Sequence, residues 1–128
     1  MIRPTILALS INGLCTEMYG VSAKAGWWTA KDGTPLQANP YVVGNKLLLI
    51  HSEISEATEG DRKDSMDSHL PHRKTLEVEL ADAFIRICDL AGAYNMDLGG
   101  AVAEKMEYNR TRADHSAAAR AGVNGKKY

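Results

Sequence analysis

Apolar residues recur at helical spacing in four stretches of this chain, and this periodicity limits its fold more than any other feature. In the clearest stretch the apolar residues are separated by four, three, four and three positions: Val43, Leu47, Ile50, Ile54 and Ala57. This spacing places them on one face of a helix. Asn39 and Pro40 precede the stretch and suit a helix cap and a first helical position, so we expect the helix to begin there.

Three further stretches predict helices over about 5–19, 73–93 and 97–112. Strand signals are scarce, since the best candidate turn, Asp32-Gly33, has polar flanks and predicts a loop. The connection at 20–39 is long, and loops of that length are more often functional than idle. The sequence therefore predicts an all-α four-helix bundle in a single domain, 1–128, with an irregular tail at 113–128.

Charge and composition exclude several classes of protein. Fifteen Lys and Arg against sixteen Asp and Glu give a net charge of −1, which argues against a nucleic-acid polymer or a membrane surface as partner. No apolar run approaches the roughly 20 residues of a membrane span, and the start of the chain lacks the pattern of a secretion signal. The two cysteines form neither a disulfide framework nor a metal-binding pair. We expect a cytoplasmic protein.

The helix predicted over 73–93 has two apolar stripes. One stripe consists of Leu76, Leu80, Phe84, Ile87 and Ala91, and the other of Val78, Ala81, Ile85 and Cys88. A helix that is apolar on two faces must be covered on both. One cover is the core of the domain itself, and the other is expected to be a second copy of the chain, so we predict a homodimer at least.

Two pairs of acids border the apolar faces of consecutive helices. Glu53 and Glu56 are three residues apart on the second helix, and Glu79 and Asp82 are three apart on the third. A single such pair is typical of a solvated face, but two pairs on antiparallel helices would bring four carboxylates together. Their mutual repulsion requires a cation, and hard oxygen ligands favour Mg²⁺, for which Mn²⁺ may substitute.

The fourth helix carries a complementary stripe that changes from apolar to cationic: Leu98, Val102, Lys105, Asn109 and Arg112. Such a stripe facing a bundle needs an anion, and a polyphosphate bridged to the carboxylates by a metal would supply one. A basic helix end that complements the helix dipole is the alternative interpretation for Arg110 and Arg112, and it is weaker for Lys105 in mid-helix.

These elements together resemble the MazG-like nucleoside triphosphate pyrophosphohydrolases. The family motif is ExxE, a variable gap and ExxD, followed by a KxxxN element. Here the motif is carried by the runs 46–59, 79–82 and 104–112, with a gap of 22 residues. The resemblance covers about residues 41–115.

The resemblance implies an all-α dimer or dimer of dimers that cleaves a (d)NTP to (d)NMP and pyrophosphate with Mg²⁺. It implies that four acids are metal ligands and that two residues of the last helix contact phosphates: Glu53, Glu56, Glu79 and Asp82 for the metal, and Lys105 and Asn109 for the phosphates. Two departures stand out. Ser52 occupies a position where relatives often have a third acid, and the tail after Arg112 lacks most of the family's usual sequence.

The first helix and the connection after it offer candidates for recognising a base. Asn12 has a donor and an acceptor for a base edge, and Trp27 and Trp28 have stacking faces. Stacking area favours a purine. The resemblance implies dGTP or GTP, because guanine nucleotides recur as targets among small MazG-like proteins, including phage-encoded ones that edit nucleotide pools in the host cytoplasm. Core or dimer packing is the alternative for the two tryptophans, and a backbone partner is the alternative for Asn12.

Within the acid pairs, Glu53 is the preferred residue to orient or deprotonate the attacking water, although Glu56 is not separated from it by the sequence. A rival hypothesis is a non-catalytic bundle that binds nucleotide or protein. A di-iron carboxylate bundle is a poor alternative, since none of these acids has the required Glu-x-x-His spacing.

Overall fold

The computed structural model describes residues 1–128, and its regular structure is entirely helical, which confirms the prediction of an all-α chain. Five α-helices follow one another along the chain, with one short 3₁₀ helix, Leu36–Ala38, before the second of them. They are α1, Pro4–Lys24; α2, Val42–Lys63; α3, Thr75–Ala93; α4, Leu98–Thr111; and α5, Ala117–Ala121. None of these helices is both long and apolar enough to cross a lipid bilayer.

The residues group into two compact units, one made of residues 1–12 and 97–128 and the other of residues 13–96. The second unit contains α2 and α3, which pack side by side and run antiparallel. Their direction follows from their contacts, since Lys46 lies near Asp89 at one end and Gly60 lies against Thr75 at the other.

Gly60 allows the close approach of α2 and α3 beside the loop that joins them. A Cβ at this position would lie 2.6 Å from Thr75 Cγ2. Any larger side chain would therefore force the helices apart at this end, and this packing fixes the register with which the acids of α2 face those of α3.

The ends of the helices differ from the sequence predictions in identifiable ways. α1 continues past Tyr19 to Lys24, because Tyr19 and Ala23 pack against the core and favour a further turn. α2 begins at Val42 rather than at Pro40: the Asn39 side chain accepts a hydrogen bond from the Tyr41 backbone N–H at 2.9 Å and forms a turn before the helix. The tail contains α5, a five-residue helix capped by Ser116.

The core of residues 13–96 is centred on Trp28, which is only 3% exposed and packs with Val42 and Leu90. Tyr19 and Tyr94 contact the indole edge-on, with ring centroids at 5.8 Å and 6.0 Å. The connection that was predicted as a loop is thus anchored by a core residue, while Asp32 and Gly33 form the turn at its tip.

Candidate functional site

Three of the four predicted metal ligands converge between α2 and α3. One carboxylate oxygen from each of Glu53, Glu56 and Glu79 lies within 4.8 Å of the other two. Glu53 is buried, with 6% of its surface exposed, whereas Glu79 is partly buried and Glu56 is exposed. The cluster therefore extends from the helix interface to solvent, and it could bind an ion that enters from water.

Asp82, the fourth predicted ligand, lies outside this group of three. It is one helical turn beyond Glu79 on α3, and it lines the neighbouring cleft. Its negative charge repels that of Glu79 and helps to raise the Glu79 pKa. The structure thus brings together three of the four predicted ligands and leaves Asp82 in the wall of the cleft.

The pKa of Glu79 is raised to about 7. Burial is the largest cause, followed by a hydrogen bond shared with Glu53 and by repulsion from Glu56, Glu53 and Asp82. Near neutral pH this carboxyl is therefore about half protonated when no cation is bound. A metal ion would oppose this shift, since it binds the deprotonated form.

Two cross-helix ion pairs continue the row of charges along the interface. Arg86 Nε donates a hydrogen bond to Glu53 Oε1 at 2.5 Å, and Lys46 Nζ lies 4.0 Å from Asp89 Oδ2. Sequence analysis missed both cations. The position of Arg86 could have been predicted, because it follows Glu79 by seven positions and therefore shares its face of the helix.

A cleft of about 490 Å³ adjoins these charges. Its walls combine apolar and charged side chains: Ser22, Trp27, Leu49 and Ile85 with Lys46, Asp82, Arg86 and Asp89. Two cations and an exposed indole at the edge of a carboxylate cluster suit a ligand that has both a flat ring and negative charge.

The two adjacent tryptophans have different environments. Trp27 is 70% exposed and lines the cleft. Trp28 is a core residue: its Nε1 donates to Asp89 Oδ1 at 2.8 Å, and Lys46 Nζ lies 4.2 Å from the centre of its ring. Only Trp27 therefore presents an exposed indole on which a base could stack. Trp28 lies in the core and helps to position Lys46 and Asp89, which it contacts.

Asn12, the third predicted base contact, is engaged within the unit of residues 1–12 and 97–128. Its amide donates to Asp97 Oδ1 at 2.7 Å, and its carbonyl accepts from the Gly99 backbone N–H at 2.8 Å. Asp97 in turn accepts from the Gly100 N–H and caps α4. In this structure Asn12 holds the start of α4.

The three predicted phosphate contacts also belong to that unit. The Lys105 ammonium lies 4.5 Å from the centre of the Tyr108 ring. Arg112 binds Asp114 through two hydrogen bonds of 2.9 Å and 2.6 Å, and this contact lowers the pKa of Asp114 to about 2. Asn109 Oδ1 is buried and accepts no hydrogen bond. Arg112 would have to leave Asp114 to contact a phosphate with the same atoms.

Comparison with known proteins returned no family, no characterised relative and no structural neighbour: no protein-family model matches the chain, and neither a curated protein nor a solved structure does so.

The donor set of the acid cluster fits a hard divalent cation. It supplies carboxylate oxygens only, and one of its members, Glu53, is a buried anion that needs positive charge nearby. The pKa of Glu79 is raised first by burial and then by its contact with Glu53 and the neighbouring negative charges, so a cation nearby would favour its ionised form. Glu53, Glu56 and Glu79 could therefore bind a divalent metal ion.

Without metal, the protein is expected to lose stability as the pH rises from about 4.5 to 7. The folded chain binds the Glu79 proton more tightly than the unfolded chain does, since the carboxyl pKa rises from 4.5 to about 7 on folding. The free energy of unfolding should fall across this range by up to about 3 kcal/mol. Urea unfolding at pH 5 and pH 8 measures the fall, and millimolar Mg²⁺ should reverse it at pH 8.

The control for this pH effect is Glu79→Gln, which cannot ionise at this position. The variant should lack the Glu79 contribution and lose less stability between pH 5 and pH 8 than the wild type. An equal loss in both proteins would contradict the assignment.

Proposed function

We propose that this chain is a MazG-like nucleoside triphosphate pyrophosphohydrolase, which converts a (d)NTP to (d)NMP and pyrophosphate with Mg²⁺ and serves to edit the nucleotide pool. One observation carries the proposal. Both acids of the ExxE motif and the first acid of the ExxD motif meet between two antiparallel helices, beside a cleft lined by two cations and an exposed indole.

The residues around the cleft have distinct proposed roles. Bound Mg²⁺ would neutralise the polyphosphate and lower the pKa of an attacking water. Glu53 or Glu56 would orient that water and accept its proton, and Glu56 has the readier access because it is exposed. Lys46 and Arg86 would give the cleft positive charge for the phosphates. Lys105, Asn109 and Arg112 are proposed as further phosphate contacts.

Base selection is assigned chiefly to Trp27. Its indole is exposed on the cleft, and a purine offers it more stacking area than a pyrimidine does. dGTP and GTP are the proposed substrates. Trp28 would act only through Asp89 and Lys46, which it contacts. Asn12 would have to release Asp97 and the Gly99 N–H to bind a base edge.

A turnover panel tests the function and the base preference together. The eight common ribo- and deoxynucleoside triphosphates and dUTP are each incubated with the protein and Mg²⁺, and the products are separated by anion-exchange chromatography. We expect nucleoside monophosphate and pyrophosphate in equal amounts, fastest from dGTP or GTP, and none after EDTA treatment. If dCTP or dUTP is cleaved faster than dGTP, the stacking role of Trp27 is contradicted, whereas the proposed activity is not. No pyrophosphate from any nucleotide would instead favour a non-catalytic nucleotide-binding bundle.

A homo-oligomer belongs to the same proposal. One apolar stripe of α3 is uncovered within the single chain, with exposures of 37–50%: Leu76, Leu80, Phe84 and Ile87. A contiguous apolar face of this kind marks an association surface.

We therefore expect a mass in solution of about 28 kDa or 56 kDa, two or four times the 13.9 kDa of the chain. Light scattering coupled to size-exclusion chromatography at micromolar concentration measures it. Leu80→Glu should shift the mass towards that of one chain, since a charge would be buried at the interface. A wild-type mass of about 14 kDa would contradict the prediction.

A further inference from the structure

Arg86 lies where the acid cluster meets the cleft. Its Nε donates to Glu53 Oε1, while the side chain as a whole lines the cleft together with Asp82 and Lys46. The Arg86 side chain is 41% exposed, whereas that of Glu53 is 8% exposed. The guanidinium thus reaches from a solvent-accessible position into the buried end of the cluster.

Arg86 supplies the positive charge that a buried carboxylate requires. An ionised group with so little exposure is stable in the interior only when it is paired. The structure provides that partner in the form of the guanidinium, and the neighbouring cation, Lys46, is held elsewhere by Asp89 and the Trp28 ring. Arg86 therefore supplies to Glu53 a neutralising charge that a metal ion could also supply.

A divalent cation and the guanidinium compete for the same carboxylate. A metal ion held by Glu53 would bring a second positive charge to the carboxylate that the guanidinium already contacts, and like charges repel strongly in a partly buried site. Arg86 has space to move away, because the cleft of about 490 Å³ opens directly beside it. Asp82 and Asp89 line that cleft, so the displaced guanidinium would still have negative charge nearby.

We propose that Arg86 is an exchangeable cation, which pairs with Glu53 while the acid cluster holds no metal and turns into the cleft to bind a substrate phosphate when metal is bound. This inference rests on the proposed function, since it requires a metal at the cluster. It adds a residue outside both acid motifs and makes metal loading and phosphate binding depend on each other. By reciprocity, metal then raises phosphate affinity and phosphate raises metal affinity by the same factor.

Metal binding without nucleotide provides a test that does not depend on turnover. Mn²⁺ affinity is measured by calorimetry for the wild type, for Arg86→Gln and for the control Arg73→Gln. Arg73 forms a matched but exposed ion pair, with its Nη1 2.8 Å from Glu77 Oε1. We expect Arg86→Gln to bind Mn²⁺ about 5-fold more tightly or better, because the competitor is gone, and Arg73→Gln to bind like the wild type. The KM of Arg86→Gln for dGTP should rise by about 10-fold.

A second measurement needs no variant. In the ¹⁵N NMR spectrum of the wild type, the Arg86 Nε–H resonance should have the shift of a carboxylate-bound group and should move when Mg²⁺ is added. An Arg86 resonance that does not move in a protein that binds Mg²⁺, or an Arg86→Gln variant that binds Mn²⁺ no more tightly, would overturn the inference and leave the proposed function intact. A wild type that binds no divalent cation would overturn both.

Discussion

Replacing Glu53 with glutamine is expected to reduce pyrophosphate release by about 100-fold or more while the protein stays folded. The substitution removes the charge of the most buried member of the cluster and preserves its shape. The glutamine carbonyl can still accept the hydrogen bond from Arg86, so the contact between α2 and α3 survives. Initial rates with dGTP and Mg²⁺, together with a thermal unfolding curve, measure the two effects separately.

Glu77→Gln is the matched control for this experiment. Glu77 is an exposed acid that also pairs with an arginine, Arg73, but it lies outside the cluster. Its variant should retain activity within about 2-fold, because surface substitutions rarely change a folded structure. Near-wild-type turnover by Glu53→Gln would remove Glu53 from the mechanism, and the same measurement on Glu56→Gln would then decide whether Glu56 handles the water.

Trp28→Ala is expected to lower the free energy of unfolding by about 3–5 kcal/mol. The change removes the largest side chain of the core, leaves Asp89 without its indole partner and takes the ring away from Lys46. Trp27→Ala should change stability by no more than about 0.5 kcal/mol, since that side chain is mostly exposed.

The expected effect on nucleotide binding also distinguishes the two tryptophans. Trp27→Ala should raise the KM for dGTP by about 10-fold with little change in kcat, because a stacking contact is worth about 1–3 kcal/mol. Urea unfolding and steady-state kinetics on both variants provide the measurements. If Trp27→Ala binds dGTP as tightly as the wild type, Trp27 is not the stacking residue.

The four long helices followed from spacing, since a period near 3.6 is a local property of the chain, whereas the short helix α5 in the tail and the 3₁₀ helix before α2 were not predicted. The same spacing placed Glu53 and Glu56 on one face of α2 and Glu79 on the facing side of α3, and these three carboxylates do converge. Periodicity was informative here because an antiparallel pair of neighbouring helices has few possible registers.

The environments of several site residues depend on tertiary contacts, which residue spacing does not reveal. Trp27 and Trp28 are adjacent and chemically identical, and only the packing of Tyr19 and Tyr94 determines which of them is buried. Asn12 binds Asp97, 85 residues away, and no local pattern reveals such a partner. The pairing of Arg86 with Glu53 depends likewise on the register between α2 and α3, although the position of Arg86 on the face of Glu79 was visible in the sequence.

A crystal structure grown with Mn²⁺ and a non-hydrolysable α,β-imido analogue of dGTP tests the central claim most directly. The anomalous signal of Mn²⁺ locates the ion without reference to the rest of the structure. We expect a peak coordinated by the carboxylates of Glu53, Glu56 and Glu79, with the triphosphate beside Lys46 and the guanine against Trp27. Mn²⁺ bound away from these carboxylates, or a cleft that holds no nucleotide, would contradict the account.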